Sequence, residues 1–99
     1  MEVTDYSKIK MPGYLRKALD TTIEQNPQYG SIYGAQGKCV EASDKLLFCC
    51  DEITGIEVDG YLKGDDRPHS WVYIEGFNID LTARQFDSSE DFPKIWIDN

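Results

Sequence analysis

Apolar and polar positions alternate most regularly over residues 69–86, His-Ser-Trp-Val-Tyr-Ile-Glu-Gly-Phe-Asn-Ile-Asp-Leu-Thr-Ala-Arg-Gln-Phe. Val72 and Ile74 alternate with Trp71 and Tyr73, Glu75-Gly76 interrupts, and Phe77, Ile79 and Leu81 then alternate with Asn78 and Asp80. A period of two on both sides of a short glycine-containing break predicts a β-hairpin. If Glu75 and Gly76 are the central turn residues, Trp71 faces Asp80 and His69 lies one diagonal step from it on the same face. A four-residue loop puts His69 directly opposite Asp80, so any even loop keeps the two together, whereas an odd loop or a bulge separates them by a face. Upstream the period changes to that of a helix. Leu15, Ala18, Leu19, Thr22 and Ile23 recur at helical spacing between Pro12 and Asn26-Pro27. A second amphipathic segment, residues 39–50, sets Ala42, Leu46 and Cys50 on one stripe with Val40, Ser43 and Leu47 beside it,. Between these helices and the hairpin, residues 53–62 hold Ile56, Val58 and Tyr61 around Gly60, a third strand with a bulge or a close approach at the glycine,.

The remaining segments carry weaker patterns. Residues 1–10 have no period and are expected to be a loosely attached lead-in. Residues 26–38, with three glycines and two tyrosines, form a turn-rich loop longer than most connections,. Its Tyr29 and Tyr33 either pack on the core or line a cleft. Residues 63–68 are a turn delivering His69 to the mouth of the sheet. Residues 87–91 are a solvated acidic loop, and residues 92–97 pack by their aromatics. The expected architecture is α+β: helices near the N-terminus packed on a small antiparallel sheet of at least three strands.

Composition narrows the possibilities further. At 99 residues and 40% hydrophobic, residues 1–99 make a single domain with a modest core,. The net charge of -8, from 18 acidic and 10 basic residues, disfavours nucleic acid and anionic membrane surfaces and favours a basic partner,. With no apolar run of spanning length and no signal-peptide pattern over residues 1–10, the expectation is a soluble cytoplasmic protein. Three cysteines, two of them adjacent, make a poor disulfide framework and suit a reducing compartment,. One histidine and the unspaced Cys49-Cys50 pair predict no metal site, and no cofactor is expected,.

Chemistry concentrates in three residues. A carboxylate accepting from one nitrogen of His69 fixes the tautomer and leaves the other nitrogen free to act as a base, a role open to Asp80. A nucleophile is missing from the hairpin but present at Cys39, in the first turn of the second helix, where the helix dipole and free amide groups favour a thiolate and a developing oxyanion. Cys49 and Cys50 end that helix among apolar residues and are expected to be small buried hydrophobes.

The order of these parts, with Lys-Cys-Val-Glu-Ala at residues 38–42, Val-Asp-Gly-Tyr-Leu at 58–62, His-Ser-Trp-Val at 69–72 and Ile-Asp-Leu-Thr at 79–82, resembles the papain-like or transglutaminase-like cysteine superfamily, particularly its small bacterial and phage-type members. The resemblance covers residues 37–86. Ser70 and Leu81 stand where alanine and proline are common in that superfamily. It implies a papain-like core, with Cys39 as nucleophile, His69 as general base and acid, and Asp80 orienting His69. Gln36, three residues ahead of Cys39, would correspond to the glutamine that supplies an oxyanion donor in papain-like proteases, at a shorter spacing than there. Trp71 would either wall the cleft or fill the core, and Tyr33, from the long loop, would line the cleft if that loop borders it. The implied activity is acyl transfer through a thiol, most simply hydrolysis of an amide in a protein or peptide, peptidase-like or deamidase-like. An acidic interaction or inhibitor protein that keeps the fold without catalysis is the alternative.

Overall fold

Pro12 precedes the first turn of helix α1, Gly13–Gln25, and the residues buried along that helix are Leu15, Ala18, Leu19, Thr22 and Ile23, the stripe set by the sequence. Within the helix Thr22 Oγ1 bonds back to the Ala18 carbonyl at 2.8 Å, and at its end Asn26 Nδ2 takes up the last-turn carbonyl of Thr22 at 3.0 Å,. This architecture is that of a computed structural model, which describes residues 3–50, 55–61 and 68–97. The ends of the first strand at Ile53 and Leu62, and most of the turn over residues 63–68, lie outside the described residues.

The long connection over residues 26–38 is more ordered than its composition suggests. It contains a 3-10 turn, Pro27–Gly30, and a one-turn helix α2, Ile32–Ala35, with Ser31 at its N-cap accepting from the Gly34 amide at 3.1 Å. A serine three residues ahead of an N–H is the capping arrangement that stabilises such a turn. Helix α3, Cys39–Cys49, follows with Ala42, Ser43 and Leu46 buried. It packs across the sheet and against α1.

The sheet is a meander of four antiparallel strands in the order β1-β2-β3-β4: β1 Ile56–Tyr61, β2 Pro68–Ile74, β3 Phe77–Asp80 and β4 Lys94–Ile97. Ile74 pairs with Phe77 and Val72 with Ile79, so the hairpin loop is the two residues Glu75 and Gly76. Their φ values of 54° and 84° place both in the left-handed region, as a type I′ turn requires,. Alternation then divides the sheet. Val72, Ile74, Phe77 and Ile79 join Leu15, Leu19, Ala42 and Leu46 in the core, while His69, Trp71, Asn78 and Asp80 fall on the other face,. There Trp96, paired with Asn78, sets its ring 5.6 Å from that of Trp71.

Two further expectations change. Residues 94–97, expected only to pack by their aromatics, form the fourth strand. The run is short and follows Pro93, and its partner β3 is recognisable only in three dimensions,. The first ten residues, expected to be loosely attached, are tied down where described: the Thr4 amide donates to the Phe92 carbonyl at 2.7 Å, and the Phe92 amide donates to Thr4 Oγ1 at 3.0 Å. Arg16 donates to the Tyr6 and Ile9 carbonyls, and the Tyr6 hydroxyl donates to Asp20. Among the described residues no helix is long and apolar enough to cross a membrane.

Candidate active site

His69 is the second residue of β2, opposite Gly60 of β1, and Asp80 is the last residue of β3. With a two-residue hairpin loop they are diagonal neighbours on one face, and His69 Nε2 meets Asp80 Oδ2 at 2.7 Å with both side chains fully buried. Asp80 is held in turn. Its Oδ1 accepts from the Thr82 amide at 2.9 Å and from Thr82 Oγ1 at 3.4 Å, an aspartate-initiated turn that ends the strand and aims the other oxygen at the ring,.

The second ring nitrogen has a partner that sequence reasoning did not name. Gln85 Nε2 lies 3.1 Å from His69 Nδ1, while Gln85 Oε1 accepts from the Gly37 amide at 3.2 Å. A backbone N–H only donates, so the oxygen of this carboxamide must face Gly37 and its NH2 must face the ring. Nδ1 is therefore the acceptor, and the proton of the neutral ring sits on Nε2, directed at Asp80. Gln85 reaches this position because the 3-10 turn Ala83–Gln85 sets it three residues after Thr82, whose Oγ1 also accepts from Gln85 Nε2 at 3.4 Å. The signal in the sequence was the spacing of three hydrogen-bonding side chains, Asp80 at the strand's end and Thr82 and Gln85 just after it. The ring is also packed edge-on by Phe86, with centroids 4.7 Å apart, and His69 is 1% exposed.

Cys39 opens α3 behind Lys38, which occupies the N-cap position without a side-chain cap, and it is half-buried. Gly37, with φ 72°, turns the chain into that helix. The thiol thus stands two residues beyond the amide that holds Gln85, which in turn holds His69. Among the described residues no hydrogen bond joins Cys39 to His69 itself. The first turn also carries Glu41, which accepts from the Tyr29 hydroxyl at 2.6 Å. That bond holds the Glu41 carboxyl below its usual range, while burial, followed by the bond to Glu41, pushes the Tyr29 phenol up.

The other nominated residues fall in different settings. Gln36 is exposed, and its backbone amide closes α2 on the Ile32 carbonyl at 3.0 Å. Tyr33 is 89% exposed, whereas Tyr29 is buried in the core. Trp71 is half-buried and donates its Nε1 proton to Asn78 Oδ1 at 2.9 Å. Cys50 is buried, and burial, with Cys49 beside it, raises its thiol above the ordinary value. A groove of about 510 Å³ between α1 and α3 is lined by residues including Lys45, Phe48 and Cys49, so it is separate from the His69-Asp80 pair. Among the described residues no group of three or more His, Cys, Asp or Glu side chains is placed to hold a metal ion. No protein-family model, curated protein or solved structure matched this chain.

Proposed function

We propose that this chain is a thiol-dependent acyl-transfer enzyme of papain-like or transglutaminase-like type, most simply an amide hydrolase acting on a protein or peptide, with Cys39 as nucleophile, His69 as general base and acid, and Asp80 orienting the ring. The observation that carries this reading is the buried His69–Asp80 pair at 2.7 Å, whose far nitrogen is linked through Gln85 to the loop entering the Cys39 helix. In the proposed reaction the Cys39 proton passes to His69 Nδ1 and the thiolate attacks the acyl carbon. The amine departs with that proton, leaving a thioester. Water, losing its proton to His69, then cleaves the thioester to a carboxylic acid and restores the thiol. Asp80 stabilises the imidazolium formed in each half, and amides at the start of α3 face the developing oxyanion. Acid–base help of this kind contributes about 10²- to 10⁴-fold. A small domain has little material for deep subsites, so an exposed side-chain amide or a flexible tail is the fitting substrate, and the net charge of -8 favours a basic one,.

A second reading is favoured by one observation: His69 Nδ1 is already occupied and the ring is almost fully covered. A non-catalytic acidic protein would keep this network as structure and bind a basic partner through its surface. Iodoacetamide decides between them. The enzyme reading expects Cys39 to be alkylated at least tenfold faster than Cys49 and Cys50, and His69→Ala to slow Cys39 alone. Equal labelling of the three cysteines, with an activity indifferent to Cys39→Ala but lost on neutralising Asp87, Glu90 and Asp91, would establish the second reading instead.

A further inference from the structure

Gln85 touches both halves of the candidate site, and its geometry gives it more than a filling role. We propose that Gln85 is a positioning residue that holds His69 in the resting tautomer and must leave Nδ1 before that nitrogen takes the Cys39 proton; this rests on the Cys39-His69 reading above. In the resting arrangement every polar contact is matched: the Gly37 N–H donates to Gln85 Oε1, Gln85 Nε2 donates to His69 Nδ1 and to Thr82 Oγ1, and His69 Nε2 donates to Asp80 Oδ2. A proton arriving on Nδ1 destroys the match, because a ring N–H would then face the amide NH2. Rotating the carboxamide by half a turn presents its oxygen to the ring but sets NH2 against the Gly37 N–H. Either way two donors oppose each other, so the proton-loaded ring and the resting pose of Gln85 exclude one another.

Departure of Gln85 has a second consequence. It frees the Gly37 amide, two residues before Cys39 and in a left-handed conformation that turns toward the helix start. An acyl oxygen accepting from that N–H would replace Gln85 Oε1, so substrate entry and release of the histidine would be one event. Gln85 is half-buried on a three-residue 3-10 turn, with no other side chain than Thr82 and His69 bonded to its NH2 among the described residues. Rotation of its side chain therefore breaks only weak neutral hydrogen bonds.

The test uses the full chain with Gln85→Ala, Gln85→Glu and His69→Ala, reading nitrogen-resolved NMR of the single histidine and site-resolved iodoacetamide labelling. In the unsubstituted protein the ring is expected to be neutral with its proton on Nε2. Gln85→Ala should speed Cys39 labelling by about two- to tenfold, the weight of one neutral hydrogen bond, without changing Cys49 or Cys50. In Gln85→Glu the carboxylate can accept from both Gly37 and the ring, so both ring nitrogens should carry protons, and Cys39 should label more slowly than in Gln85→Ala. The proposal is overturned by a resting ring protonated on Nδ1, by Gln85→Ala accelerating all three cysteines alike, or by an unchanged Cys39 rate. Should Gln85→Ala fail to fold, the protonation of the ring in Gln85→Glu decides. His69→Ala separates the two levels: if it slows Cys39 labelling while the Gln85 variants do nothing, only the gate is lost, and if it has no effect the thiol chemistry and the gate fall together.

Discussion

Gly60 sits opposite His69 in the β1–β2 ladder, and a Cβ built there would come within 2.9 Å of the Trp71 ring at Cη2. The absent side chain is what lets the indole lie across the neighbouring strand and reach Asn78 with its N–H. Gly60→Ala is therefore expected to tilt Trp71, weaken its contact with Trp96 and cost about 1 kcal/mol, read as a changed tryptophan fluorescence and a lower denaturation midpoint. The glycine was legible as a bulge or a close approach; the unbroken β1–β2 register excludes the bulge, and which ring approaches was not legible, since alternation assigns faces within a strand and not neighbours across strands. The two glutamines make the same point for the site. Gln36 stands near Cys39 in the chain yet is exposed, while Gln85, 48 residues from Gly37, reaches both that amide and the histidine. Sequence spacing places a residue on its own turn and says nothing of which distant turn docks beside it.

At the scale of elements, the hairpin turn sets everything that follows on that face. Gly76 has φ 84°, a conformation that an L side chain adopts only at a cost,. Gly76→Ala should cost about 1 kcal/mol, measured by chemical denaturation, and should lower the protection of the β2–β3 amides from hydrogen exchange. Where α3 crosses β1, Glu57 meets Asp44 and Asp59. Burial first, then the hydrogen bond and charge of Asp44 and the charge of Asp59, raise the Glu57 carboxyl above its ordinary 4.5. A carboxyl raised on folding binds its proton more tightly in the folded state. Its stabilising contribution is complete below the unfolded value and is lost as pH rises through the folded one. Glu57→Gln should therefore raise the melting temperature at pH 7 by about 2–4 °C and do little at pH 4, a difference thermal melts at the two pH values would expose. An unchanged pH dependence would mean that this contact is fully solvated.

Over the whole molecule the charge of -8 gives Cys39 a chemical signature independent of any substrate. Glu41 lies on the same helical turn as the thiol, with its carboxyl held ionised by Tyr29. A negative reagent should be repelled, so iodoacetate is expected to alkylate Cys39 several-fold more slowly relative to iodoacetamide than it alkylates a free thiol, and the gap should narrow as salt is added. Equal relative rates at low salt would show that the field at the site is not set by this charge.

Legible from residue order alone were the α1 stripe, the start of α3 at Cys39, the period-two hairpin and the sharing of one face by His69 and Asp80, because each depends on local periodicity, turn chemistry and the parity of a short loop. The remaining features came from packing in three dimensions. It recruited residues 94–97 as a fourth strand, anchored the N-terminal residues through Thr4 and Phe92, and brought Gln85 between Gly37 and His69. Each of these joins segments far apart in the chain, and such contacts arise only once the core has packed and brought donors and acceptors from different segments face to face.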